Sequence, residues 1–313
     1  MSVTFSGGGV TISGGGWTLE APPPAVSKKA IFGYGYLNSA TAITNLVSNT
    51  GVVATDTAGV GSARYGLAAA GYGTDTAIFG YGFSSSVYRS MTNLVSNTGV
   101  VATDTAGVGT ARGWLAAAGY GTDKAIFGYG TTGTNASMTN LVSNTGVVAI
   151  DTTGVGTARQ RLAAAGYGTD KAIFGYGSSD GGSSGLSMTN LVSNTGVVAT
   201  DTAGVGTGRW TVAAAGYGTD KAIFGYGFAS GVTAITNLVS NTGVVATDTA
   251  GVGTARYSLA AAGYGTDTAI FGYGFASGSY VSITNLVSNT GVVATDTAGV
   301  GTARDTLTAA AYS

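Results

Sequence analysis

The chain has 313 residues, 55 of them glycine, with 44% hydrophobic residues, a formal net charge of −1, and neither cysteine nor histidine. The missing cysteine excludes a disulfide framework and a thiolate metal site, and the near-zero charge argues against nucleic acid or an anionic membrane as partner, since both need a basic footprint. No apolar run approaches the ~18 residues of a membrane helix, and no secretory signal is visible at the start, so a product made in a cytoplasm and free of membrane insertion is expected.

Residues 1–27 stand apart as an arm. Val3-Thr-Phe5 and Val10-Thr-Ile12 are short β-prone alternations, each followed by a glycine triplet. Trp17-Thr-Leu-Glu20 comes next, and then Pro22 to Pro24, which read as a semi-rigid extended spacer. Strands this short are not stable alone. They are expected to pair with the following array or with another protein; the bland alternative is a floppy leader.

From residue 28 to the end the chain repeats itself. Phe-Gly-Tyr-Gly begins at Phe32, Phe79, Phe127, Phe174, Phe224 and Phe271, at intervals of 47, 48, 47, 50 and 47 residues. A period near fifty points to a propeller or a solenoid. One unit reads as four strands. The first is Trp114 to Tyr120, the second Lys124 to Tyr129 across a Gly-Thr-Asp turn, and the third Met138 to Ser143 after a loop of changing sequence. Asn144-Thr-Gly146 is a hairpin signal leading to the fourth, Val147 to Thr152. The second and fourth carry apolar residues on both faces, as expected of sheets sandwiched between neighbours. Glycine interrupts every helical window.

Four antiparallel strands per unit describe a propeller blade. The array opens at a second strand (Lys29 to Gly35) and ends on a first strand (Arg304 to Tyr312), so each end supplies what the other lacks. The expectation is an all-β, six-bladed β-propeller over residues 28–313, with one four-stranded blade stitched from both termini and no unpaired edge. An Arg, two variable positions, a small apolar strand and an aliphatic-aromatic strand ending in glycines resemble the kelch family. Ile-Phe-Gly-Tyr-Gly stands where kelch repeats carry a Gly-Gly pair, and the Trp that often closes their third strand is missing.

The differences between units cluster in two places. One is the pair after each Arg: Tyr65-Gly66, Gly113-Trp114, Gln160-Arg161, Trp210-Thr211, Tyr257-Ser258 and Asp305-Thr306. The other is the loop between second and third strands, of 8, 9, 8, 11, 8 and 9 residues, which contains all the length variation. Antiparallel topology puts both at one face and the constant turns at the other. A changeable surface rich in Tyr, Trp, Phe and Arg has the composition of a recognition face. Its candidate residues are Tyr36, Tyr65, Phe83, Tyr88, Arg89, Trp114, Gln160, Arg161, Asp180, Trp210, Phe228, Tyr257, Phe275, Tyr280 and Asp305. The competing explanation is drift wherever loops tolerate it.

Arg64, Arg112, Arg159, Arg209, Arg256 and Arg304 recur in every unit, as do Asp56, Asp104, Asp151, Asp201, Asp248 and Asp296. Two readings are open: a structural Arg–Asp pair with the carboxylate in the guanidinium fork, or, as the kelch resemblance implies, an Arg ring for acidic ligands. No enzyme, cofactor or metal is expected. Kelch-type copper oxidases need Cys and His ligands, the unrepeated acids Asp180 and Asp305 sit in different units, and runs such as Gly59-Val-Gly61 precede strands where a phosphate cradle needs a helix.

The opening Met1-Ser-Val-Thr-Phe-Ser-Gly-Gly-Gly9 and the repeated Lys-Ala-Ile-Phe-Gly-Tyr-Gly resemble repeat-containing phage virion proteins. That resemblance implies a tail-fibre, tail-tip or capsid-decoration protein. It would be anchored to the virion through residues 1–27, assembled in the host cytoplasm and extracellular on release, and would bind a cell-surface glycan or protein. The alternative is a cytoplasmic kelch-type scaffold for protein partners.

Overall fold

The computed structural model describes residues 27–313 in full and, before them, the backbone of Ser2–Ser6, Gly9–Ser13 and Trp17–Leu19. Those three segments form their own antiparallel sheet, with Ser2 opposite Ser13 and Val10 opposite Leu19. The expected partner of the β-prone segments is the array or another protein; here they pair with each other, and Trp17–Leu19 supplies a third strand. The proline spacer lies outside the described residues.

Among the described residues there is no helix, and residues 28–313 build six three-stranded antiparallel sheets. One unit consists of Ala116–Tyr120, Lys124–Gly128 and Thr139–Val142. Its register runs from Ala116 opposite Gly128 to Tyr120 opposite Lys124, and from Ala125 opposite Val142 to Gly128 opposite Thr139. The first strand starts at Ala116 and not at Trp114, because Trp114 has φ +50°, outside the extended region.

The expected fourth strand does not form. Val147 to Thr152 touches the sheet through two isolated bridges, Val142 to Val148 and Thr139 to Thr152. Between them the buried Asn140 donates its side-chain amide to the Ala149 carbonyl (3.0 Å), an acceptor that a regular ladder would leave to a backbone donor, and to the Asp151 side chain at Oδ1 (2.9 Å). The segment is not sandwiched either: Val147 is 66% and Ile150 77% exposed.

The chain's two ends share a sheet. Thr308–Tyr312 pairs with Lys29–Gly33, from Thr308 opposite Gly33 to Tyr312 opposite Lys29, and Lys29–Gly33 pairs in turn with Thr44–Val47. The first strand of each unit packs beside that of the next, and Thr308–Tyr312 packs beside Ala68–Tyr72.

Phe-Gly-Tyr-Gly fastens one unit to the following one. A methyl on Gly80 would stand 2.7 Å from Phe127 Cζ of the next unit, so only glycine lets that ring lie flat on the strand. Tyr81 turns its ring edge-on to Phe127 (centroids 5.1 Å), carries the Arg112 guanidinium over its face at 4.4 Å, and donates its hydroxyl to the Val108 carbonyl (3.1 Å). Arg112 is wholly buried. Its Nε donates to the Tyr129 carbonyl (2.8 Å), Nη1 to the Thr110 carbonyl (3.2 Å) and Nη2 to Asn140 Oδ1 (2.6 Å). The same contacts link Gly272 and Tyr273 to Phe32, with Arg304 over Tyr273 at 4.6 Å.

Replacing Arg112 with Met strands two buried acceptors, the Tyr129 carbonyl and Asn140 Oδ1, and the expected loss is about 3–5 kcal/mol. Gly80→Ala, which only crowds Phe127, should cost about 1–3 kcal/mol. Thermal unfolding of both variants beside the native chain checks the order; a silent Arg112→Met would remove the guanidinium from the fold's stability.

Candidate functional site

The variable positions meet backbone to backbone. The first residue after each Arg bridges the first residue of the loop between second and third strands: Tyr65 with Phe83, Gly113 with Thr131, Gln160 with Ser178, Trp210 with Phe228, Tyr257 with Phe275, and Asp305 with Tyr36. These bonds use only main-chain groups, so side chains there change without disturbing the pairing.

The second residue of each pair is left-handed, with φ of +60°, +50°, +58°, +52°, +54° and +47° at Gly66, Trp114, Arg161, Thr211, Ser258 and Thr306. That conformation lets each amide donate to the carbonyl of the equivalent residue one unit back: Trp114 to Gly66, Arg161 to Trp114, Thr211 to Arg161, Ser258 to Thr211, and Thr306 to Ser258. Gly66 donates to Thr306 at 3.0 Å, so the series returns to its start. These residues, with the Leu and Ala residues that follow them, line a cavity of about 120 Å³. Sequence reasoning missed this geometry. Its one signal was Gly66, the glycine among the six residues at that position.

Around the cavity all ten predicted aromatics form one chain of contacts. Trp114 meets Tyr88, Phe83 and Tyr65 with centroids 6.3, 5.5 and 6.0 Å apart. Tyr65 meets Tyr36 at 5.0 Å, and Tyr36 reaches Tyr280 at 6.4 Å. From there Phe275, Tyr257, Phe228 and Trp210 follow at 5.2, 5.6, 5.7 and 4.8 Å. Most of these rings are half-buried, edge-on or tilted to one another. Trp114 and Phe275 thus belong to the same arc.

The five predicted residues that are not aromatic, Arg89, Gln160, Arg161, Asp180 and Asp305, stand outside these ring contacts or at their margin. Arg89 donates Nε to Ser84 Oγ (3.0 Å). Gln160 is half-buried in the gap between Trp114 and Trp210. Asp180 is exposed and turned into its own loop, where the Ser178 hydroxyl and the Ser184 and Ser183 groups hold its carboxyl far below the usual range. Arg161 also lies in that gap, 5.9 Å from the Trp114 ring.

The six recurrent arginines are not on this surface. All are 0% exposed, so the expectation of an Arg ring for acidic ligands is corrected: no guanidinium reaches the surface, five of them find internal acceptors for Nε, Nη1 and Nη2, and Arg209 keeps only its Asn237 bond. The Arg–Asp pair is looser than a fork, with Nη1 3.6–3.9 Å from Oδ1 in four units. The carboxylate's closer partners lie elsewhere: Asp151 accepts from the Thr110 amide (2.9 Å) and hydroxyl (2.6 Å). Burial pushes that carboxyl up, but the Thr110 and Asn140 hydrogen bonds and the Arg112 charge outweigh it and hold it below its usual value.

The longest loop leaves a mark on the next unit. Gly208 replaces the Ala that precedes Arg in the other five units, and Gly185 of the loop fills the space that methyl would occupy. The Ala-to-Gly exchange was the visible signal, and its partner was legible only in three dimensions.

Among the described residues no three acidic side chains converge on a metal-sized site. A scan against protein-family models finds no match to this chain, and a search of curated proteins finds none.

Asp305 is the one titratable group of the arc with a large displacement. Burial raises its carboxyl to about 6, with the Thr306 hydroxyl (3.1 Å) opposing. An acid whose folded pKa is raised stabilises the protein below its unfolded value and loses that contribution as pH climbs from about 4 through about 6. Asp305→Asn should therefore raise the melting temperature at pH 7–8 and leave it nearly unchanged at pH 4. Melting curves across that range test this; an equal shift at both ends would exclude titration of Asp305 as the cause.

Proposed function

We propose that the six sheets form a closed, kelch-like six-bladed propeller, and that the protein is a non-enzymatic, virion-associated adhesion protein. On this reading residues 1–27 attach it to the particle, and the aromatic arc binds a glycan or protein of the host surface. Closure is supported by the sheet shared between the two chain ends and by the Gly66-to-Thr306 return of the hydrogen-bond series. A second series at the opposite end of the strands also returns, from Gly73 to Asp123 onwards and finally from Ser313 to Asp75.

One observation carries the binding reading. The outer segment is the most exposed part of each unit, with Val52, Val100, Val197, Val244 and Val292 all 65–66% exposed, yet it is almost unchanged from unit to unit. Drift limited only by tolerance would accumulate there. Change is concentrated instead in half-buried aromatic positions that touch one another at one end. The likeness of the opening residues and repeats to phage virion proteins supports the proposed address.

Labelled full-length protein on an array of bacterial surface polysaccharides and on whole cells tests the reading. Tyr65→Ser with Phe275→Ser should weaken retention at least tenfold, and Val147→Ser should leave it unchanged. Retention indifferent to the double substitution, or capture confined to cytosolic proteins, would overturn it. Deletion of residues 1–27 should abolish incorporation into particles seen by electron microscopy without affecting array binding.

A further inference from the structure

In five units the chain satisfies a buried guanidinium in the same way: a carbonyl for Nε, a carbonyl for Nη1 and an Asn side chain for Nη2, as at Arg112. Arg209 departs from this in part, keeping the Asn237 bond while its Nε and Nη1 lack one. Arg161 departs from it wholly. Among the described residues its side chain makes no hydrogen bond or ion pair, and its Nε is buried without a partner. A guanidinium carries five donors in a fixed fork, and leaving them unmet in a partly desolvated place is unfavourable.

Its surroundings are built to keep it so. On one side the Trp114 ring centroid lies 5.9 Å from its guanidinium. On the other side, Arg161 Nη1 and Trp210 Nε1 lie 2.5 and 3.3 Å from the point where a methyl on Gly182 would stand, so the bare glycine lets guanidinium and indole sit side by side. The acid in the adjoining loop, Asp180, is committed to Ser178, Ser183 and Ser184. Asp305 belongs to the unit three places away in either direction along the hydrogen-bond series. Arg161 itself lines the cavity.

We infer that Arg161, between Trp114 and Trp210, is the anion-holding end of the binding face and takes the carboxylate of an acidic saccharide. This rests on the adhesion reading above and names its ligand class. A carboxylate accepts two parallel N–H bonds from the Nη1–Nη2 end, whose nitrogens have no hydrogen-bond partner and, unlike Nε, are not sealed from solvent. The half-buried Trp114 indole offers an apolar platform for the C–H face of the sugar ring, while the buried Trp210 adds only its Nε1 donor at the edge beside Gly182.

Isothermal titration of the full chain with trigalacturonate and with neutral maltotriose tests this. The acidic probe should bind at least tenfold tighter, and Arg161→Gln should bring it down to the neutral level. Arg161→Lys should fall between, since it keeps the charge and loses the fork. Arg161→Gly, which copies the chain's own Gly66, guards against misfolding because glycine suits φ +58°. Equal binding of the two probes, binding insensitive to Arg161→Gln, or no binding of trigalacturonate would overturn the inference. Retention on cells that survives Arg161→Gln but not the Tyr65/Phe275 double substitution would sink this inference alone. Absence of any retention on cells or array would sink the adhesion reading with it.

Discussion

The fold depends on a buried cation held between two sheets. Each recurrent arginine lies over a tyrosine of the preceding unit, as Arg112 lies over Tyr81, and all but Arg209 spend Nε, Nη1 and Nη2 on their own unit, as Arg112 does through Tyr129, Thr110 and Asn140. Burying such a charge without partners is prohibitive, so its position specifies the distance and rotation between neighbouring sheets. Gly80 and Phe127 add a steric key to that electrostatic one. Each three-stranded sheet carries apolar residues that need covering, and six copies fastened in this way cover one another.

Much of this was legible in the chain and some was not. The period, strand order, tight turns and pairing partners of the two ends follow from repeated glycines and from what each end lacks. Val147 to Thr152 reads as a strand because Val-Val-Ala-Ile is β-prone. What displaces it is Asn140, a fully buried residue ahead of the turn, whose amide reaches Ala149 and Asp151. Propensity is local, and a side chain that substitutes for a ladder bond is a tertiary event. The arginines illustrate the same limit: a recurrent charge next to variable residues looks exposed in sequence, while its burial depends on the Tyr of another unit. The candidate face was legible as a set, since topology alone sends both variable clusters to one end. The left-handed residues at its centre were not, because five of the six are not glycine.

The division between constant and changing parts has a mechanical basis. Where the two variable clusters meet, the bonds are main chain to main chain, from Tyr65–Phe83 through Tyr36–Asp305. A substitution there alters what the surface presents and leaves the hydrogen bonds that set its shape. Side chains that do take part in the framework, the Arg, Asn, Asp, Phe and Tyr of each unit, scarcely vary. The molecule thus separates the atoms that carry geometry from the atoms that carry contact.

That separation has bounds, and the bounds are themselves visible in the chain. A left-handed non-glycine residue costs on the order of 1–2 kcal/mol, so Trp114 and Arg161 persist because the amide-to-carbonyl series fixes their backbone from both sides. The same series forbids proline, which has no amide to donate. Loop length is bounded as well. The eleven-residue loop coincides with the loss of a methyl at Gly208, because Gly185 comes to lie where that methyl would be. A longer excursion on one unit is therefore accommodated by its neighbour. The changeable end is not a set of six independent loops but a coupled surface, in which each unit's freedom is limited by the backbone of the next.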